Sequence, residues 1–135
     1  MDDHQQNIAR QCLEGAERGS LSFPQIIGRL IEAGFESYSV DFRRATAVYY
    51  LPDGQGIELV CRASTVAVAP DFDVAAIRVA IGEAQALVPG YSYNGFCDKV
   101  RRAGCAGYMV SFPGRRAVYY GRTAETHVEM FPPQA

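Results

Sequence analysis

His127 and Glu129 are the pair in this chain best suited to acid–base chemistry. They stand two apart in Thr126-His127-Val128-Glu129-Met130, a segment that reads as a strand, so they share one face and Val128 and Met130 share the other. An imidazole titrates near neutrality and can move a proton when a carboxylate orients it. Asp41 would be the third member of such a site, and an enzyme using His127, Glu129 and Asp41 is one reading of the chain. The competing reading is a solvated pair on an open sheet face, since no third partner lies near them in sequence. His4, in the polar run Met1-Asp2-Asp3-His4-Gln5-Gln6, falls in a terminus expected to fray and takes no role.

Two further groups could bind rather than catalyse. Arg43-Arg44 and Arg115-Arg116 fall at hairpin tips, and Arg122 follows Gly121 near the end of the next strand. Guanidinium groups suit planar anions and phosphate, although solvated tips are the competing reading. The doublets Tyr49-Tyr50 and Tyr119-Tyr120 send one ring to each side of their strands. Tyr50 and Tyr120 are in phase with Val48 and Val118 and are expected in the core. Tyr49 and Tyr119 then join Asp41, Glu58, His127 and Glu129 on the opposite face, where rigid amphipathic rings can form a binding platform. Ordinary cross-strand packing would use the same rings.

The elements that must carry these residues come in two nearly matching sets. Ser22 to Tyr50 aligns with Ser92 to Tyr120 at an offset of 70 residues without a gap, with identities that include Gly34/Gly104, Tyr38/Tyr108, Val40/Val110 and Tyr49/Tyr119. Each copy reads as helix, hairpin and third strand. Ser22 can cap the first helix with Gln25 completing a capping box, Pro24 fits the first turn, and Gly34 stops it. Tyr38, Val40 and Phe42 alternate with polar residues as a half-buried strand does. Pro113-Gly114 fits a type II turn, and Asp53-Gly54 a tight turn into the third strand. That strand, Ile57 to Arg62, matches Thr126 to Phe131 after a one-residue shift that pairs Ile57-Glu58-Leu59 with Val128-Glu129-Met130. A further helix precedes each set. The second, capped by Asp71 or Asp73 and running to about Leu87, is apolar nearly all round and suits a position between the halves. Ala63 to Pro70 links the copies.

Cys97 and Cys105 match Ile27 and Phe35 in the other copy, and Cys12 lies on an apolar helix face, so these thiols read as core rather than as nucleophiles. The four cysteines show no CxxC spacing and no histidine at ligand spacing, so no metal site is expected. No P-loop or dinucleotide fingerprint is present. No catalytic residue and no cofactor are assigned.

A formal charge of -2 over 135 residues argues against a dedicated nucleic-acid binder. The charge is uneven. Residues 1–71 hold six Arg against ten Asp/Glu, a balance of -4, and residues 91–131 hold six Lys/Arg against three Asp/Glu, a balance of +3. The halves could attract each other within one molecule or between molecules. The N-terminus has no signal-peptide pattern and no stretch is apolar enough to span a membrane, so a cytoplasmic protein is expected.

The segments Ser37-Tyr38-Ser39-Val40-Asp41, Tyr49-Tyr50-Leu51-Pro52-Asp53-Gly54, Ala103-Gly104-Cys105-Ala106-Gly107-Tyr108 and Gly114-Arg115-Arg116-Ala117-Val118-Tyr119-Tyr120-Gly121-Arg122-Thr123 resemble the YbcV-like family of uncharacterised bacterial proteins. Some of its members carry the label phage envelope protein. The resemblance covers most of the chain and implies a link to prophage genes. It brings no catalytic residue, cofactor or substrate.

The expectation is therefore one α+β domain over residues 1–135, an internal duplication of an α-α-β-β-β unit (about 1–62 and 72–131) about a pseudo-twofold axis. Three-stranded antiparallel sheets meet or join, and helices cover one face. Function reads first as a non-catalytic protein acting through protein–protein contact or self-association, of phage or prophage origin. The alternatives are a small-molecule module with its ligand in the crevice between the repeats, and the enzyme named above.

Overall fold

The computed structural model describes residues 1–132; the expected domain runs on to residue 135, and that last part lies outside the described residues. The elements are helices α1 (Asp3–Arg18) and α2 (Phe23–Glu32), strands β1 (Ser37–Asp41), β2 (Thr46–Tyr50) and β3 (Gly56–Val60), then α3 (Val74–Ala86), α4 (Tyr93–Arg102), β4 (Cys105–Ser111), β5 (Arg116–Gly121) and β6 (Thr126–Met130). The fold is α+β. The two expected three-stranded sheets join into one six-stranded sheet of order β3-β2-β1-β4-β5-β6. All five pairings are antiparallel, including β1 with β4 at the middle.

Local chemistry explains the helix ends. Ser22 caps α2 through a capping box with Gln25, and Ser92 caps α4 by accepting from the Gly95 N–H. Gly34 and Gly104 follow the two C-caps at φ of 97° and 88°, a left-handed conformation that costs glycine nothing. Asp2 caps α1, which begins at Asp3, so His4 sits in a helical first turn rather than in a frayed end. Between β4 and β5 the positive φ falls on Arg115 (51°), as it falls on Ala45 (53°) between β1 and β2. Pro113-Gly114 is therefore not the type II turn expected, because the left-handed residue comes one position later than the glycine.

The helices lie on one side of the sheet. Helix α1 packs with α2, α3 packs with α4, and α1 meets α4 across the middle. One cluster of buried side chains runs through both halves, with Leu30, Val100, Tyr38, Val110, Ile77 and Cys12 among its members. Helix α3 is not sandwiched between halves: Ile77, Ala80 and Ile81 are buried while Val74 and Val79 are exposed. Its apolar outer face is simply left to solvent.

The strand register corrects two expectations. Tyr38 faces Tyr49 and Val40 faces Ala47 across β1 and β2. Directly opposed residues share a face, so Tyr49 belongs with the core residues Tyr38 and Val40. The third strands need no shift either. Ile57 lies opposite Tyr49 and His127 opposite Tyr119; Leu59 lies opposite Ala47 and Glu129 opposite Ala117. The similarity of Ile-Glu-Leu to Val-Glu-Met is thus a coincidence of composition, and the offset of 70 residues continues to the end of β6.

Candidate functional site

Among the described residues no helix covers the second face of the sheet, and three rows of side chains cross it. The middle row is Glu58, Val48, Ser39, Met109, Val118 and Val128, each opposite the next. One flanking row contains Val60, Asp41 and Tyr120, and the other Tyr50, Arg116 and Met130. Tyr50, Val60, Met109, Val128 and Met130 are exposed, Val60 at 82% and Met130 at 52%. Tyr50 lies over Gly56, whose missing Cβ would come within 3.1 Å of its ring, and Tyr120 lies over Gly107, where a Cβ would strike both the Tyr120 hydroxyl and the Val40 carbonyl. Each tyrosine therefore covers a glycine across the strand pair, Tyr50 exposed and Tyr120 half-buried.

The expected platform is reversed. Tyr49 and Tyr119 are 3% and 8% exposed and face the helices, with Tyr38 and Tyr108 stacked on them at 5.3 Å in each case. Burial pushes both phenols well above their ordinary value. His127 and Glu129 share that side. His127 Nε2 stands 3.0 Å from Glu129 Oε2, the His127 ring stacks on Tyr119 at 6.4 Å, and Gln85 donates to Glu129 Oε1 at 3.3 Å. Asp41, their supposed third member, is on the opposite face, where its Oδ1 accepts from the Arg43 and Arg44 N–H groups. Of the expected set only Glu58 and Asp41 lie on the uncovered face. His127, Glu129 and Asp41 do not meet.

The arginines do not meet either. Because β1 and β4 run antiparallel, the β1–β2 and β4–β5 tips lie at opposite ends of the sheet. Arg44 pairs loosely with Glu58 at 3.7 Å. Arg115 lies over the Phe131 ring and donates to the Pro132 carbonyl, Arg116 donates to the Gly114 carbonyl, and Arg122 to the Val68 carbonyl.

A polar junction that residue types alone did not reveal joins the halves. Asp98 Oδ1 accepts from Ser64 at 2.8 Å, Arg62 at 3.1 Å and Arg101 at 3.2 Å. Arg101 is buried with its guanidinium 4.7 Å from the centre of the Phe42 ring. Burial pushes the Asp98 carboxyl up, but the Ser64 hydroxyl and the Arg62 guanidinium together outweigh it and hold the group below its ordinary value. Glu17 Oε2 accepts from the Arg62 backbone N–H at 2.6 Å, which ties the last turn of α1 to the chain just beyond β3. The crevice here, lined by Glu17, Phe42, Arg62, Tyr93, Cys97 and Arg101, holds about 20 Å³, room for a water molecule. A second cleft of about 130 Å³ between α3 and α4 is lined by Glu83, Tyr91, Phe96 and Lys99, with Lys99 already paired to Glu83 at 2.9 Å.

Cys12, Cys97 and Cys105 are buried, Cys61 is half-buried, and none is bridged. Burial pushes Cys97 up to about 12 and Cys12, Cys61 and Cys105 to about 11, which leaves protonated thiols at neutral pH. Among the described residues no group of His, Cys, Asp and Glu could hold a metal ion. Among the described residues no helix is long and apolar enough to cross a membrane.

This is an α+β protein with one half of its sheet surface bare. The chain belongs to the family described as Protein of unknown function (DUF1398), whose model matches residues 5–129. None of the curated proteins matches it.

Proposed function

We propose that this chain is a non-catalytic cytoplasmic protein, of phage or prophage origin, that acts through protein–protein contact, and that its contact surface is the uncovered sheet face. We further infer that the scaffold is an internal duplication of one α-α-β-β-β unit with a pseudo-twofold axis through the β1–β4 pair, where Ser39 faces Met109. The observation that carries the functional reading is the run of Met109, Val118, Val128 and Met130 across β4–β6, Met109 opposite Val118 and Val118 opposite Val128, with Tyr50 exposed apart from them on β2 and no helix among the described residues over that face. Contiguous exposed apolar surface marks interaction sites, whereas single exposed apolar residues do not. Tyrosine and methionine are also the residue types enriched at contact surfaces. The prophage element of the proposal rests on the family resemblance alone.

The test is site-specific photo-crosslinking in cells, with a benzophenone amino acid at position 109 on the bare face and at position 79 on the exposed side of α3. Protein adducts at 109 and few at 79 support the reading. Equal yields from the two positions, or none from either, refute it.

A further inference from the structure

We propose that the partner of the uncovered sheet face is a second copy of this chain, the two sheets stacking face to face about a twofold axis parallel to their strands. The inference rests on the reading of that face as a contact surface and names the occupant.

Size comes first. Six strands about 4.8 Å apart and five residues of about 3.4 Å each give a face of roughly 29 by 17 Å, or ~500 Å². A standard stable interface covers about 800 Å² per partner. An identical sheet matches the first in extent, and sheets stacked face to face form the core of β-sandwiches at a spacing of about 10 Å. The shortfall in area makes the dimer dependent on concentration.

Charge then selects the arrangement. On this face β1–β3 carry the carboxylates Asp41 and Glu58, whereas β4–β6 carry Arg116 and no acid. An axis parallel to the strands lays β1–β3 of one copy on β4–β6 of the other. It stacks Val48 on Val118 and Ser39 on Met109, and it sets the Tyr50 ring opposite the Arg116 guanidinium, a cation–π partner. An axis across the strands would lay Glu58 on Glu58, a like-charge contact that costs binding energy. The opposite net charges of the two halves, -4 over residues 1–71 and +3 over residues 91–131, act in the same sense during encounter.

Sedimentation velocity decides the matter. The full chain is expected to shift from monomer to dimer as its concentration rises from about 1 to about 200 µM. Met109→Glu is expected to stay monomeric with an unchanged thermal melt, since Met109 is exposed. Glu58→Arg and Arg116→Glu should each weaken the dimer about tenfold or more, and the double exchange should recover most of the loss, because the parallel axis lays Glu58 over Val128 of the second copy, one strand and one row from that copy's Arg116. A monomer at every concentration overturns the inference. So does a dimer that survives Met109→Glu, which would use another surface. Absence of rescue in the double exchange rejects the parallel axis. Should the chain be monomeric while position 109 crosslinks to a different protein, the contact-surface reading stands and only the second copy is excluded.

Discussion

Glu129 holds His127 at 3.0 Å on the helix-facing side of the sheet, at the two positions of β6 that answer to Ile57 and Leu59 of β3. Where one half packs two aliphatic side chains beneath its helices, the other packs a hydrogen-bonded histidine–glutamate pair whose imidazole is 9% exposed. Replacing a shielded pair by aliphatic residues of similar size is often neutral or stabilising, whereas removing one partner is costly. The double variant His127→Ile/Glu129→Leu should therefore melt within about 1 kcal/mol of the native protein. Glu129→Leu alone should cost more. A double variant worse than the single one would show that the pair does something its neighbours in β3 do not.

The two rings of each tyrosine doublet should separate in thermal melts. Tyr119→Ala removes a buried ring packed on Tyr108 and edge-on to Phe96 at 6.4 Å, and should cost about 3–5 kcal/mol, as large core truncations do. Tyr50→Ala strips an exposed ring from above Gly56 and should cost about 1 kcal/mol or less. Equal losses would contradict the register of β1 on β2.

Acid should weaken the junction between the halves. Asp98 sits below its ordinary value of 3.8 when folded. The unfolded chain binds its proton first, so the contribution is present above about pH 4 and is lost as pH falls through the folded value. Urea midpoints measured from pH 6 down to pH 3 should drop less steeply for Asp98→Asn than for the native chain, from a lower starting point. Parallel curves would remove Asp98 from the acid response.

The thiols act at the other end of the scale. Cys97 rises from 9.0 to about 12 on folding, so the folded protein keeps a proton that the unfolded one releases. That stability is present below about pH 9 and is lost as pH climbs toward the folded value. Cys97→Ala should show a shallower alkaline loss in denaturant melts between pH 8 and pH 11. At pH 8 a thiol reagent should label Cys12, Cys97 and Cys105 only as fast as the chain opens. Prompt labelling of any one of them would contradict its burial.

Gly107→Ala should damage the centre of the sheet. A methyl group there would meet the Val40 carbonyl on β1 as well as the Tyr120 hydroxyl, so the β1–β4 pair must part or Tyr120 must swing away. The expected cost is about 1–3 kcal/mol, typical of overpacking, with near-ultraviolet circular dichroism reporting the displaced tyrosine. A silent substitution would mean that the two central strands sit further apart.

The helices, their caps and the order of elements were legible in the chain because each is set by neighbours in sequence. Ser22 and Gln25 are three residues apart, Gly34 ends the turn it belongs to, and the alternation of Tyr38 and Val40 fixes one strand. Which ring of Tyr49-Tyr50 is buried could not be read that way, since Ala47, Val48, Tyr49 and Tyr50 are apolar at both parities. The β1–β2 register settles it, and register depends on how the chain turns between Asp41 and Thr46. The same holds for His127 and Glu129: the pair was visible at once, but its side of the sheet was decided by Tyr119 lying opposite His127. Asp98, Ser64, Arg62 and Arg101 meet only because α4 packs across the middle of the molecule against the end of β3 and the linker, 34 to 36 residues away in the chain. The bare face itself is a tertiary fact: the sequence supplies four helices with apolar faces to bury, and only their packing on a single side leaves Met109 and its neighbours to find another surface.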